Sequence, residues 1–325
     1  MRDYESLLNY FNSILNKQTF LGKPGKLYEP IEYTVKLGGK RLRPVLCLAA
    51  CEMYNGNIEE ATQTAIALEL FHNFTLIHDD IMDKAPIRRG QPTVYQKWDS
   101  NTAILSGDTT FAKAYEYISK IDKKHIPDVL PILTQVAIEV CEGQQFDLDF
   151  ETQISVSESE YLEMIRLKTA VLLAASLKAG ATIGEAPETD KENIYKFGEH
   201  IGMAFQLKDD LLDIFADEKK FGKKTGNDIV TNKKTYLLIK AFELASPEIR
   251  NRLSELFTPN VSFNKEEKIK EVKEIYKTLD IEQHTKNKML EYQQKAMTAL
   301  SSINIDGKNK QILINIADKL LDREK

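Results

Sequence analysis

Two clusters of aspartate residues in this sequence combine the residue type and the spacing that bind divalent metal ions. One lies in LIHDDIMD, residues 76–83, and the other in LKDDLLD, residues 207–213, so each follows the pattern DDxxD. Residues four apart in an α-helix share a face, which places the outer aspartates of each cluster one turn apart on the same side. Mg²⁺ prefers oxygen ligands and is usually held by one or two carboxylates together with substrate phosphates. The predicted metal ligands are Asp79, Asp80, Asp83, Asp209 and Asp213.

A helix end with solvated carboxylates is the alternative interpretation of each cluster. It is disfavoured for the first cluster because acidic side chains at a helix C-terminus oppose the macrodipole. In addition, His72, Thr75 and Leu76 continue the same face into apolar sequence. The repetition of DDxxD on a second long apolar helix also argues against coincidence. Carboxylates at the edge of a core are tolerated if metal ions neutralise them, and the metal ions in turn hold an anion.

The basic residues indicate which anion is bound. GGKRLRP occupies residues 38–44, RRG follows the first acidic cluster at residues 88–90, and Lys168, Lys223 and Lys233 lie in the second half. Arginine matches phosphate oxygens with two parallel hydrogen bonds, and lysine acts as a point charge. One basic cluster alone is more often solvated surface, but these clusters together with the aspartates predict a cavity for diphosphates bridged by Mg²⁺. The sequence has no GxxxxGK[ST] loop, so a nucleotide is not indicated.

The elements that position these residues are predicted to be helices. Apolar residues recur with helical spacing from Tyr4 onward, and no alternation typical of strands, low-complexity linker or repeat is present. We therefore predict one all-α domain over residues 1–325. The predicted helices cover about residues 4–15, 45–53, 59–82, 103–119, 127–144, 159–179 and 190–215, with a loop at RRGQPT, residues 88–93.

Composition excludes several classes of protein. The 325 residues carry a net charge of −5, which does not favour nucleic-acid binding. The longest apolar run, TAVLLAASL, is half of the about 18 residues that a membrane span needs. Acidic residues stand where a signal peptide would be basic, and Cys47 and Cys51 stand one helical turn apart in apolar sequence, as reduced core thiols do. We expect a cytoplasmic protein.

The ordered set of motifs resembles the trans-isoprenyl diphosphate synthases, or polyprenyl synthetases. The resemblance covers nearly the whole chain, and its motifs are GGKRLRP, LIHDDIMD, RRGQPT, EGQQFD (142–147), RLKTA (166–170), FQLKDDLLD (205–213), FGKKTGND (221–228) and NKKTY (232–236). One position departs from the family pattern, because Asn232 stands where a glycine commonly precedes the lysine of the last motif. We expect a small effect from this difference.

The resemblance implies a role for individual residues. Isopentenyl diphosphate contacts Lys40, Arg43, His72 and Arg89, and Arg88 grips the allylic diphosphate. The residues around the allylic substrate are Lys168, Thr169, Gln206, Lys223 and Lys233. Three Mg²⁺ ions, for which Mn²⁺ can substitute, are implied at Asp79 and Asp83 and at Asp209 with Asp213 near it. The catalytic residues are then Asp79, Asp83, Arg88, Lys168, Thr169, Gln206 and Asp209. Arg323 and Lys325 resemble a basic tail that closes over the site in some members.

The resemblance also implies the fold and the reaction. The fold is the isoprenoid synthase fold, a bundle of mostly antiparallel helices around a deep central cavity, and members are usually homodimers. Isopentenyl diphosphate is condensed head to tail with an allylic diphosphate. The allylic C–O bond ionises, the alkene attacks the allylic cation, and a proton is lost to the departing diphosphate.

Phe74, five residues before Asp79, resembles the floor that limits chain length in short-chain members. At about 1.5 Å per residue it lies about 7.5 Å along the helix from Asp79. Thr75 leaves the next position small. We therefore predict geranylgeranyl diphosphate as the product, with farnesyl diphosphate or a longer polyprenyl diphosphate as the alternative. Phe74 could instead simply pack against a neighbouring helix, leaving Phe71 or another residue to set the depth.

Three other classes of protein are disfavoured. A terpene cyclase would not need Lys40, Arg43 and His72. A phosphohydrolase of the HD type needs more histidines than the five scattered ones present. A non-catalytic subunit of a synthase typically loses one acidic motif, and both are intact in this sequence.

Overall fold

The architecture was obtained as a computed structural model, which describes residues 2–216, 225–258 and 263–321. Helices make up almost all of its regular structure, and they are numbered in chain order. They are α1 Tyr4–Leu15, α2 Gly25–Lys36, α3 Leu42–Met53, α4 Ile58–Met82, α5 Val94–Lys97, α6 Ser100–Ile118, α7 Ile126–Thr152, α8 Glu158–Ile165, π1 Arg166–Ala170, α9 Val171–Ile183, α10 Glu188–Phe215, α11 Asn227–Val230, α12 Tyr236–Leu244, α13 Pro247–Leu256, α14 Lys265–Thr278, α15 Ile281–Ser301 and α16 Gly307–Leu321.

The chain divides into two compact units. The first contains residues 2–137, 175–195 and 303–314. The second contains the described parts of residues 138–174, 196–302 and 315–321. The first acidic cluster therefore belongs to the first unit, and the second acidic cluster to the second unit.

The first unit is organised around α4. The side chain of Asn57 accepts hydrogen bonds from the backbone N–H groups of Glu59 and Glu60, which starts the helix. The 25 residues of α4 pack against α3 and α6 and are buried around Ile66, Leu68 and Phe71. A helix this apolar on all sides is stable because its neighbours enclose it. The acidic cluster comes at its end.

In the second unit, α8 begins at a capping box. The hydroxyl of Ser157 accepts from the backbone of Glu160, whose carboxylate in turn accepts from the backbone of Ser157. The helix that follows changes to π geometry over Arg166–Ala170 before α9 continues. Further along the chain, α10 contributes Leu211 and Ile214 to the apolar core of this unit.

The predicted all-α class is confirmed, with three local corrections. A short antiparallel pair, β1 Ile87–Arg88 and β2 Gln91–Pro92, forms within the predicted loop, because two residues per strand are too few to show alternation. The helix predicted over residues 159–179 is interrupted by π1, and α7 continues to Thr152. Within the described ranges, every helix is too short or too polar to cross a lipid bilayer.

Candidate active site

The first acidic cluster lies at the C-terminal end of α4, where Asp83 is the capping residue. Asp79 is partly exposed, Asp80 is buried and Asp83 is exposed. The backbone N–H of Asp83 donates to the carbonyl oxygen of Asp79 at 2.8 Å, so the last turn is regular. The outer aspartates therefore reach the surface on adjacent turns, whereas the middle aspartate is enclosed.

Asp80 is paired with Arg88 of β1. Nε of Arg88 lies 2.8 Å from Oδ1 and 2.9 Å from Oδ2 of Asp80, and Nη2 lies 2.8 Å from Oδ1. Burial raises the pKa of Asp80, although the hydrogen bonds from Arg88 act in the opposite direction. Both oxygens of Asp80 thus accept from an arginine, and the metal-binding role of this residue stays a prediction.

The basic site residues of the first unit lie around the start of α3 and in the β1–β2 hairpin. Gly38 and Gly39 have φ values of 78° and 133°, and a Cβ atom at Gly39 would lie 2.7 Å from Nη2 of Arg89. Arg89 itself has positive φ and donates from Nη1 to the carbonyl oxygen of Gly38. The GGKRLRP loop and the β1–β2 hairpin are therefore in direct contact. We call Arg41, Arg43, Arg88 and Arg89 the arginine cluster.

His72 of α4 is surrounded by the arginine cluster. The pKa of His72 is lowered well below its usual value, first by burial and then by the charges of the four arginines. Burial also lowers the pKa of Arg43 to about 10, with a contribution from Arg89. Nε of Arg43 is buried and has no hydrogen-bond partner among the described residues. A neutral histidine beside several arginines, one of which has a buried donor without a partner among the described residues, is an environment that favours an anion.

The loop that carries Lys40 is held by the first helix. The hydroxyl of Tyr4 donates to the backbone carbonyl of Lys40 at 2.6 Å, and the side chain of Lys40 is exposed. The sequence predicts Tyr4 as part of an amphipathic helix but gives no sign of this contact. Lys40 therefore presents its side chain to solvent beside the arginine cluster.

Phe74 belongs to an aromatic group in the first unit. Its ring stacks on Phe111 with centroids 5.0 Å apart, and it also contacts Phe71 and His78 at 5.7 and 4.8 Å. The hydroxyl of Thr75 donates to the carbonyl oxygen of His72 at 2.9 Å. Phe74 therefore does pack on a neighbouring helix. Its role in chain length stays a prediction.

The second acidic cluster, on α10, has the same order of burial. Asp209 and Asp213 are partly exposed, and Asp210 is buried. Asp210 accepts hydrogen bonds from the hydroxyl of Tyr161 and from Nε2 of Gln206, the latter at 3.2 Å. Burial raises the pKa of Asp210 to about 6, against the opposing effect of these hydrogen bonds and of Lys233.

Asp228, which the sequence reasoning included in a motif but gave no role, lies beside the second cluster. Its backbone N–H donates to Oδ2 of Asp213 at 3.0 Å, so the start of α11 is bound to that carboxylate. Burial raises the pKa of Asp228 to about 7, and the charges of Asp213 and Asp210 add to this effect, whereas Lys233 opposes it. The unit therefore concentrates carboxylates at this point.

The π turn positions two predicted residues of the second unit. Gly143 of the EGQQFD motif permits it, because a Cβ atom at this position would collide with the backbone of Lys168. Nζ of Lys168 lies 2.5 Å from Oδ2 of Asp147, and Oγ1 of Thr169 donates to Oε1 of Gln206 at 3.1 Å. π turns occur frequently at functional sites. The sequence motif alone did not indicate this geometry.

The remaining predicted residues are placed as follows. Lys233 is exposed, and its backbone N–H donates to the carbonyl oxygen of Asp228 at 2.9 Å. Asn232 adopts φ of 59°, a left-handed conformation that asparagine tolerates, which explains how it stands in place of a glycine. The predicted residues Lys223, Arg323 and Lys325 lie outside the described residues.

The donor chemistry of both clusters fits Mg²⁺. The outer side chains of each cluster are carboxylates at or near the surface of a helix end, which is the oxygen chemistry that Mg²⁺ prefers. Within the parts of the chain that the structure describes, no group of three or more acidic, histidine or cysteine side chains could hold a metal ion by itself.

A cavity of about 1020 Å³ lies elsewhere in the second unit. Its walls come from residues 151–159 and from α8, α12 and α13, and none of the predicted site residues lines it. Cavity size is therefore not what locates the candidate site, which instead rests on charge and hydrogen bonding.

The arginine cluster of the first unit and the carboxylates at the ends of α4 and α10 have the charges that suit diphosphates and divalent metal ions, respectively. The sequence model of one family, Polyprenyl synthetase, matches residues 24–279. This chain belongs to the polyprenyl synthetase family, which confirms the family predicted from its motifs.

Individual relatives agree with this assignment. The chain is 46% identical to the geranylgeranyl diphosphate synthase of Methanosarcina mazei over 223 residues, which are 68% of this chain and 69% of that protein. It is 37% identical to the short chain isoprenyl diphosphate synthase of Methanothermobacter thermautotrophicus, over 93% of this chain and 91% of the other. A crystal structure of a geranylgeranyl pyrophosphate synthase superposes with a TM-score of 0.94 at 41% identity, covering 100% of both chains. The predicted isoprenoid synthase fold is thereby confirmed.

Proposed function

We propose that this chain is a prenyltransferase that condenses isopentenyl diphosphate head to tail with an allylic diphosphate and releases geranylgeranyl diphosphate. The observation that supports the proposal is the position of Arg43, Arg88 and Arg89 around the neutral His72, which provides donors and positive charge for a diphosphate. The names of the relatives support the reaction class. We also propose that residues 1–325 act as one polyprenyl synthetase domain, since the family match spans parts of both units.

The first unit supplies the site for isopentenyl diphosphate. Arg43 and Arg89 provide charge and hydrogen-bond donors, Lys40 adds an exposed ammonium group, and His72 stays neutral so that it can donate a hydrogen bond without adding to the repulsion. Fixing the diphosphate fixes the direction of the alkene, which lowers the entropic cost of the attack. Arg88 binds the allylic diphosphate, and Asp80 orients Arg88 through its paired hydrogen bonds.

The metal ligands in this proposal are Asp79 and Asp83 in the first unit and Asp209 and Asp213 in the second, for three Mg²⁺ ions or Mn²⁺ in their place. When bound, these ions act as Lewis acids that stabilise the charge of the departing diphosphate. Around the allylic substrate, Lys168, Thr169 and Gln206, together with Lys223 and Lys233, supply positive charge and oriented dipoles. The C–O bond of the allylic substrate breaks, a C–C bond to the alkene forms, and the proton passes to the released diphosphate.

The product assignment rests on Phe74. Its ring stacks on Phe111 of α6, five residues before Asp79. In this proposal the ring blocks the growing chain along α4. An obstacle at this depth favours a product of intermediate length, for which geranylgeranyl diphosphate is the expectation and farnesyl diphosphate or a longer product the alternative.

We also propose a homodimer. Large apolar side chains are exposed on α6, where Ile104 and Leu105 are 43% and 59% exposed, and on α7, where Ile138 is 51% exposed. Large apolar side chains exposed next to each other, as Ile104 and Leu105 are, are typical of protein–protein contacts. Light scattering after size-exclusion chromatography should give twice the mass of 37.1 kDa. The variant Leu105→Glu should shift the population toward the monomer.

The purified chain, incubated alone with labelled isopentenyl diphosphate, Mg²⁺ and each allylic primer in turn, tests the main proposal. We expect turnover that disappears on chelation with EDTA and returns with added Mg²⁺ or Mn²⁺, and dephosphorylated products dominated by geranylgeraniol. Absence of turnover with every primer would contradict the proposal and favour a non-catalytic subunit.

A further inference from the structure

A carboxylate is buried within the arginine cluster. Glu69 lies on α4, three residues before His72, and is 2% exposed. Nη1 of Arg41 donates to Oε1 of Glu69, and Nη2 of Arg41 donates to the carbonyl oxygen of Val35 at 2.5 Å. The side chains of Arg41 and Glu69 are 4% and 3% exposed. Arg41 is thus held inside the protein and is not available to a ligand in solution.

Glu69 is fixed from a second side by Asn73. Nδ2 of Asn73 donates to the backbone carbonyl of Glu69 at 2.7 Å and to its Oε1 at 3.2 Å. Asn73 is fully buried. One carboxylate oxygen therefore accepts from two buried donors, which restricts Glu69 to one orientation.

The charge of Glu69 also reaches the other arginines of the cluster. It raises the pKa of Arg43 and of Arg89, opposing burial and the repulsion among the arginines. Without this carboxylate, Arg43 and Arg89 would keep their mutual repulsion, and Arg41 would be left as a buried charge without its partner. Removing one partner of a buried ion pair destabilises the fold, because the other charge stays buried and uncompensated.

We propose that Glu69, held by Arg41 and Asn73, is a positioning residue that stabilises Arg43 and Arg89 in the arrangement that binds the diphosphate of isopentenyl diphosphate. Glu69 acts through the arginines and does not contact the substrate. Its burial is essential to this role, because an accessible carboxylate at the same place would repel the diphosphate. The inference rests on the proposed function and adds two residues, Glu69 and Asn73, that the motifs did not single out.

The variant Glu69→Gln tests the inference, because glutamine keeps the shape and the acceptor oxygen but removes the charge. We expect the KM for isopentenyl diphosphate, and its Kd measured by calorimetry, to rise about tenfold or more. The KM for the allylic substrate should stay near that of the unmodified protein. Glu59→Gln, at the exposed start of the same helix, is the matched control and should change neither constant.

The double variant Arg41→Gln with Glu69→Gln separates positioning from simple structural support. In the double variant no buried arginine is left without its partner, so its Tm should be higher than that of Glu69→Gln. The Kd for isopentenyl diphosphate should remain high, since Arg43 and Arg89 still lack the carboxylate. If the single variant fails to fold, the double variant provides this same measurement.

Two results would overturn the inference. One is an unchanged Kd for isopentenyl diphosphate in the folded Glu69→Gln protein. The other is an equal loss of affinity for both substrates that the double variant restores together with the Tm. Failure of the proposed function would look different, because the unmodified chain would then show neither turnover nor binding of isopentenyl diphosphate.

Discussion

The two acidic helix ends share a sequence pattern but differ in how their middle aspartate is stabilised. On α4, Asp80 accepts a paired set of hydrogen bonds from the guanidinium of Arg88. On α10, Asp210 accepts from a phenol and an amide, Tyr161 and Gln206. One buried carboxylate is thus balanced by a full positive charge, and the other by neutral donors.

This difference teaches that identical DDxxD motifs do not imply identical electrostatics. A charged donor offsets the cost of burying a carboxylate more effectively than neutral donors do. Burial raises the pKa of both middle carboxylates, that of Asp210 to about 6. In both clusters the middle aspartate accepts hydrogen bonds from other side chains of the protein. The outer aspartates lie nearer the surface, where the proposal assigns the metal ions.

The largest expected effect comes from the outer aspartates. If both helix ends hold metal ions, Asp79→Asn and Asp209→Asn should each lower kcat about a thousandfold or more, because charge on the departing diphosphate is no longer stabilised. Steady-state assays with saturating Mg²⁺ measure this loss. Asp128→Asn, at an exposed position in the first turn of α7, serves as the control and should behave as the unmodified protein. Normal activity of Asp209→Asn would restrict catalysis to the first cluster.

The middle aspartates should differ in their contribution to stability. Asp80→Asn removes the charge that pairs with Arg88 and should lower the free energy of unfolding by about 2 kcal/mol. Asp210→Asn replaces hydrogen bonds from neutral donors and should cost less than about 1 kcal/mol. Urea denaturation of the metal-free proteins measures both values. Equal destabilisation by the two variants would show that the charged and the neutral donors stabilise the two buried carboxylates equally.

The stability of the protein should also depend on pH, because His72 lies among the arginines near the first cluster. Burial and the charges of Arg43, Arg89, Arg88 and Arg41 lower the pKa of His72 in the folded state, so the unfolded chain binds a proton more readily. The stability that neutral His72 contributes is present above pH 6.5 and is lost as pH falls from 6.5 toward the folded pKa. The slope from this one group is at most about 1.4 kcal/mol per pH unit. Denaturation curves of His72→Gln between pH 7 and 5 should show a smaller loss of the free energy of unfolding than those of the unmodified protein. The same dependence on pH in both proteins would contradict the prediction.

The smallest expected effect on the reaction rate comes from the position five residues before each cluster. The same position should have the clearest effect on product length. It is Phe74 on α4 and the fully buried Ala204 on α10. Phe74→Ala makes the two helices alike and should lengthen the product by about one isoprene unit, since the next turn of α4 lies about 5.4 Å further on. Chromatography of dephosphorylated products measures the shift. Phe111→Ala removes the ring stacked on Phe74, and it should lengthen the product less than Phe74→Ala does. An unchanged distribution in Phe74→Ala would exclude it as the determinant.

Much of the fold was predictable because helical periodicity is local. The acidic end of α4 and most of α10 follow from apolar spacing, and the motifs in their order were enough to predict the family. The π turn at Arg166–Ala170 was not predictable in the same way. It depends on the close approach of Gly143 to Lys168, two positions that are distant in sequence.

The sequence by itself determined the helical class, the family and the identity of the residues that carry charge, because spacing and residue type are properties of the chain. The tertiary structure alone decided which carboxylates are used inside the protein. In the sequence, Asp80 and Asp210 look like the other aspartates of their DDxxD motifs, and Glu69 looks like any other acidic residue. Their hydrogen-bond partners, Arg88, Tyr161 and Arg41, are visible only in the structure. The physical reason is that burial and partner charge set the free energy of a carboxylate, and both depend on contacts between segments far apart in the chain.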